Sequence, residues 1–405
     1  MQRRTAQLPL HGGKAPAWLF KRMTRLAEAI TLAVVDEFGP VEMLRRLTDP
    51  WWFQAFGCVL GFDWHSSGVT TVTCGALKEA FKRCGDDLGI LVAGGKGTVS
   101  RNTPREIADA ADRLAITDGD KLVQASRMSA KVDSAAVQDG FQIYQHTFLF
   151  TPDGHWAVVQ QGMNESSGWA RRYHWLGEHV DDFVCEPHAA IRDLADRSEQ
   201  TESTPGRPRQ LLLNMVAEEA ADNRDATADL IRGHPDQVLE ELRRCCDGPT
   251  LFAPKRHRVL ERDINSPRLR RIIIAAHEQH PEDFATLLGT AGVGPATIRS
   301  LSLLAELIYN APASHRDPAD FTDRRFDPPP SASSAGKESP ASADPHTRRW
   351  ADYSYAHGGK DGTPFPVDRE TYDQNIAILT DAVRKARLGE NEKVNALRRL
   401  SRHGE

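Results

Sequence analysis

Residues 141–161 constrain the fold more than any other stretch. They read FQIYQHTFLF, then TPDGH, then WAVVQQ. The runs 141–150 and 156–161 are rich in β-branched and aromatic side chains, and Pro152, Asp153 and Gly154 between them are turn formers. Two such runs around a turn at 152–155 predict an antiparallel hairpin, so the chain contains a sheet. A sheet must bury at least one face, and the flanking sequence supplies helices to cover it.

Residues 16–36 space Trp18, Leu19, Met23, Leu26, Ile30 and Val34 three or four apart, which predicts an amphipathic helix. Residues 51–64 are dense in aromatics. The β-branched run 69–74 (VTTVTC) reads as a strand with a short helix at 76–83. Residues 90–93 read as a buried strand and 105–115 as a helix. Past a polar, proline-containing stretch at 197–209 the pattern turns helical, with segments at 210–221, 235–246, 266–279, 281–289 and 295–310. Prolines 312, 318, 328, 329, 330, 340 and 345 among Ser, Ala and Asp predict a disordered insertion. A last helix starts near 369.

The predicted fold class is therefore α+β. An N-terminal mixed α/β domain (1–196) with an antiparallel, hairpin-containing sheet leads through a linker (197–209) to an all-helical domain (210–311). An insertion (312–355) and a C-terminal helical segment (356–405) complete the chain.

The chain of 405 residues has 51 Lys and Arg against 56 Asp and Glu, a net charge of −5. That excludes a uniformly basic coat, so any nucleic-acid binding must come from a local patch. No apolar run is long enough for a membrane span, and mean hydropathy is −0.49. Six cysteines with no Cys-x-x-Cys pair exclude a zinc ribbon or redox pair. The N-terminus lacks a signal-peptide pattern, and the expectation is a cytoplasmic protein with reduced thiols.

The sharpest motif is TAGVGPAT at 290–297. Phe284, Leu287 and Leu288 before it, and Ile298, Leu301, Ala305 and Ile308 after it, each form one helical face. Gly292-Val293-Gly294 then makes a tight turn, and Pro295 suits the first turn of the second helix. This resembles the helix-hairpin-helix motif of DNA repair proteins, in which hairpin amides hold a DNA phosphate without reading bases. The resemblance implies DNA contacts from Gly292, Gly294 and Thr297, assisted by Arg299. A plain helical packing unit with a glycine cap is the alternative. Residues 254–278 add Lys255, Arg256, Arg258, Arg262, Arg268, Arg270 and Arg271 to few carboxylates, Glu261 and Asp263 among them. Arg268 and Arg271 are the candidate phosphate contacts.

Residues 364–383 (PFPVDRETYDQNIAILTDAV) place Asp368 before a helix. That resembles the helix-hairpin-helix DNA glycosylase superfamily, in which a Val-Asp opens a helix and the aspartate serves catalysis. The resemblance makes Asp368 a candidate catalytic residue. Ala296 stands where the lysine of the bifunctional members aligns, which excludes Schiff-base chemistry there. A capping aspartate is the alternative.

In the N-terminal half, Asp63 and His65 of DWHSSG have a spacing suited to one divalent metal, or to a loop turn. Lys131 and Asp133 share a face if extended, with Asp139 beyond and Gln142, Tyr144 and His146 following on one strand face. Carboxylates beside a lysine suggest a nuclease site holding magnesium or manganese, with Asp133 and Asp139 as ligands and Lys131 near the scissile phosphate. The solvent face of an antiparallel sheet is the alternative. Arg171, Arg172, Tyr173, His174 and Trp175 mix cations with aromatics, as a single-stranded nucleic-acid track does. His-Gly-Gly-Lys at 11–14 and 357–360, echoed by Gly94-Gly95-Lys96, suggests phosphate loops but not a Walker motif.

Taken together, LPLHGGKAPAWLF (8–20), DWHSSGVTT (63–71), AKVDSAAVQDGFQIYQH (130–146), WAVVQQGMN (156–164), ARRYHW (170–175), GVGPAT (292–297) and AHGGKDGTPFPVDRETYD (356–373) resemble the family known as domain of unknown function 763. That resemblance brings no mechanism. The expected function is a DNA-binding protein, specifically a metal-dependent DNA-processing or repair nuclease. The alternatives are a non-catalytic DNA-binding module and a base-excision enzyme using Asp368.

Overall fold

A computed structural model describes residues 4–9, 15, 17–60, 67–165, 168–187, 212–246, 267–318 and 381. Asp63, His65, Asp368, the linker, all of the expected final helix except residue 381, and both His-Gly-Gly-Lys segments lie outside the described residues.

The centre is one antiparallel sheet of five strands: β1 (Arg4–Pro9), β2 (Leu91–Lys96), β3 (Gln142–Phe150), β4 (Trp156–Asn164) and β5 (Trp169–Leu176), in the order β1-β5-β4-β3-β2. The predicted hairpin is β3–β4, whose register pairs Phe148 with Val158 and His146 with Gln160. Because strand side chains alternate, each strand feeds two layers.

One face carries Leu149, Ala157 and Val159 against α1 (Ala17–Phe38), α2 (Pro40–Leu47), α3 (Pro50–Val59) and α4 (Ser67–Leu88). Met23, Ile30, Phe53, Phe56 and Leu77 fill that layer. Fully burying each such side chain contributes about 2 kcal/mol. The β-branched run 69–74 lies inside α4, which corrects the predicted strand. Val69, Thr70, Thr73, Cys74, Leu77 and Ala80 are all buried. That three- and four-residue spacing overrides the β preference of the individual residues.

The opposite face presents Phe148, Phe150, Val158 and Trp175 to α5 (Thr103–Leu114) and α6 (Gly119–Lys131). The same core continues without a break into α7 (Ala221–Arg232), α8 (Pro235–Cys246), α9 (Pro267–Glu278), α10 (Phe284–Gly289) and α11 (Pro295–Tyr309). Leu122 and Met128 of α6 belong to one cluster with Ile273, Leu287 and Ile298. The two halves read from the sequence therefore share a core.

Three local expectations need correction. Lys131 ends α6 and Asp133 lies in the π-helical turn Val132–Ala136, so the two do not share a strand face. The expected helix 210–221 is instead a two-residue strand, Leu213–Asn214, paired with Val137–Gln138, and α7 starts only at Ala221. Residues 312–318, assigned to the insertion, pack on the body: Ser314 bridges Asn214, and Asp317 pairs with Arg171.

Candidate functional site

Polar residues gather at one end of the sheet, on both of its faces, where β3 begins and β4 ends. Gly94 of β2 borders this end. Its φ is +86°, and a Cβ there would stand 2.3 Å from the His146 carbonyl oxygen, so only glycine lets β2 and β3 approach this closely.

On the α6 side, the π-helical turn aims the Asp133 carboxylate inward, with no exposure. Trp175 Nε1 donates to Asp133 Oδ2 at 2.9 Å, and Gln160 Nε2 donates to the same oxygen. Gln160 Nε2 also reaches Ser129 O at 3.0 Å. Both neighbours accept, so the Gln160 amide nitrogen faces them and its Oε1 faces His146 Nδ1 at 2.7 Å. The proton of His146 is thus on Nδ1, and Nε2 accepts from Ser126 Oγ at 3.0 Å. Burial pushes the His146 pKa down to about 4, against the smaller upward effect of Gln160. Hydroxyl, imidazole, amide and carboxylate follow one another like a nucleophile and its base. The chain is sealed, however: Ser126 is 2% exposed and His146 4%.

One strand position further out, Arg171 lies between two carboxylates. Its Nη1 donates to Asp139 Oδ2 at 2.8 Å, and Nη1 and Nη2 grip Asp317 at 3.0 and 2.9 Å. Tyr173 OH donates to Asp139 Oδ2 at 2.8 Å, and Phe141 N–H to Asp139 Oδ1 at 3.1 Å. Burial alone would lower the Arg171 pKa, but Asp317 and Asp139 raise it well above its ordinary value.

On the other face, Arg172 is fully buried. Its guanidinium donates to His174 Nε2 at 2.9 Å and lies 4.6 Å from the Phe53 ring centre. Burial pushes its pKa down to about 9, so it remains charged at neutral pH. Gln161 links Thr70, Tyr144 and the Ser67 carbonyl beside it. The expected nucleic-acid track of Arg171 and Arg172 is therefore internal. The two side chains alternate to opposite faces of one central strand, and neither reaches the surface.

The nuclease assignment fares similarly. Both Asp139 oxygens and Oδ2 of Asp133 already accept hydrogen bonds, and Lys131 is held elsewhere. Among the described residues no three His, Cys, Asp or Glu side chains form a metal cluster. Asp139 has both oxygens, and Asp133 its Oδ2, engaged by the protein's own donors.

Two helices, α10 and α11, flank the residues 290–294. Asp283 caps α10 through Thr286 N–H at 2.8 Å, and the turn 290–294 leads into α11. Gly292 is exposed with φ +87°, a conformation that favours glycine. Val293 and Thr297 point into the core, so the Thr297 side chain does not reach solvent, contrary to its expected contact. Arg299 grips Gln138 Oε1 through Nε and Nη2 at 2.9 and 2.7 Å. Helix α9 runs beside the turn: Ile272 Cγ1 would be 3.3 Å from a Cβ on Gly292. Arg271, next in sequence to Ile272, and Arg268, one turn earlier, are both exposed. Lys131 Nζ reaches the hairpin from below, donating to Thr290 O at 3.2 Å and to Val293 O.

These observations define a three-layer α+β protein whose polar sheet end is closed. Among the described residues, the exposed turn at Gly292 lies against Ile272 of α9, a helix that also carries the exposed Arg268 and Arg271. The chain belongs to the family described as "Protein of unknown function (DUF763)", whose model matches residues 4–367. No curated protein and no solved structure matches it. Among the described residues no helix is long and apolar enough to cross a membrane.

Proposed function

We propose that the protein is a DNA-backbone-binding module that grips duplex phosphates with the hairpin turn and the adjoining face of α9. The observation that supports this reading is the close approach of Ile272 to Gly292, which brings α9, the helix carrying the exposed Arg268 and Arg271, against the exposed turn. Backbone amides at a glycine turn and helix start favour an anion, and arginines on the same surface add charge without reading bases. The net charge of −5 confines such binding to this patch. Thr297 contributes through its backbone alone. The hydrogen bonds already made by Asp139 and by Asp133 Oδ2 favour binding over a nuclease site at these two residues.

The test compares labelled duplexes of unrelated sequence at low salt. Backbone binding predicts affinities that agree within a few-fold across sequences, and a large loss in Gly292→Val, where a β-branched residue must take a positive φ. Strong preference for one sequence, or full binding by a folded Gly292→Val protein, would contradict the reading.

A further inference from the structure

Two backbone carbonyls, Thr290 O and Val293 O, converge beneath the exposed turn, and the Lys131 ammonium fills the point where they meet. The contact is long-range: Lys131 ends α6, a helix that covers the sheet. An ammonium has three N–H groups, and the two carbonyls engage two of them. Burial alone lowers the Lys131 pKa, with no carboxylate contributing. No ion pair of Lys131 occurs among the described residues, unlike Arg171 and Arg316, each held by two carboxylates. Among the described residues, this half-buried cation is met by backbone carbonyls rather than by a carboxylate.

We propose that Lys131 is the built-in cation of the hairpin, a positioning residue whose ammonium holds the turn and faces a phosphodiester oxygen bound at Gly292. The proposal rests on the backbone-binding function above and deepens it. Converging carbonyls present negative charge and would repel a phosphate. An ammonium set between them reverses the local sign and fixes the turn by charge-assisted hydrogen bonds. Because the side chain is already ordered, little of its conformational freedom is lost on binding.

The experiment measures binding of a labelled DNA duplex to the full chain over a range of salt concentrations. Wild type, Lys131→Met and Lys131→Arg are compared. Lys131→Met is expected to weaken binding about tenfold, the loss of one charge-assisted contact. It should also lower the salt slope by about one unit, while Lys131→Arg keeps most of both. A structural role alone would leave the slope unchanged. A folded Lys131→Met protein with wild-type affinity and slope overturns the proposal. If that variant does not fold, the Lys131 Nζ resonance of the wild type is titrated by NMR with and without the duplex. A facing phosphate raises its pKa on binding, and binding without that rise overturns the assignment. Wild-type protein that fails to bind at low salt overturns the backbone-binding reading and this proposal together. Binding in which Lys131 plays no part overturns this proposal alone.

Discussion

His146 Nδ1 lies 2.7 Å from Gln160 Oε1, and the amide of the same glutamine holds Asp133. Burial keeps the imidazole neutral inside the core, with a pKa of about 4 against an ordinary 6.5, although the Gln160 contact acts weakly in the other direction. Between those values the unfolded chain binds a proton that the folded chain excludes. Stability is therefore full above pH 6.5 and falls as pH drops towards 4, by roughly 3 kcal/mol from this group. Urea unfolding across that range checks it: His146→Gln should show a shallower loss on acidification than wild type. Equal slopes would mean that His146 does not carry the effect.

Gly94 holds the edge strand against the carbonyl of His146. Gly94→Ala places a Cβ on a backbone oxygen that cannot move aside and forces a positive φ on alanine. The expected cost is about 2 kcal/mol or more. Thermal unfolding reads it directly, and a midpoint unchanged from wild type would show that the strands can separate freely there.

The Arg171 cluster predicts an order of effects. Asp139 is 1% exposed at its side chain and Asp317 22%. Removing one partner of a buried ion pair leaves an uncompensated charge, at a cost of about 3 kcal/mol. Asp139→Asn should therefore destabilise the protein more than Asp317→Asn, because water partly replaces the second carboxylate. Denaturant midpoints of the two variants decide it, and the reverse order would contradict the burial argument.

Much of the fold is legible in the sequence because its signals are local. The strand–turn–strand at 141–161 sets the register that pairs His146 with Gln160, since both lie equally far from the turn. The apolar faces around GVGP give the hairpin. The run 69–74 misleads because β-branched residues there satisfy a helical burial spacing that continues to Leu88. The stretch from Lys131 to Asp139 misleads for a different reason: α6 and its π-helical turn carry the chain where an extended spacing was read. Ser126, Gln160 and Asp317 join the polar clusters through long-range packing, which residue spacing does not encode. Arg171 and Arg172 look like a surface track because cations beside aromatics are seldom buried, yet here carboxylates, a histidine and an aromatic ring receive them.

The central claim is that phosphates are bound at the turn flanked by α9. Counterion release makes this measurable, because each neutralised phosphate contributes about 0.9 to the slope of log affinity against log salt. Duplex binding measured from low to moderate salt for wild type and for Arg268→Gln/Arg271→Gln tests it most directly. The account predicts steeply salt-dependent binding by wild type and a slope lower by about two in the double variant. No binding at low salt, or an unchanged slope in the variant, would contradict it.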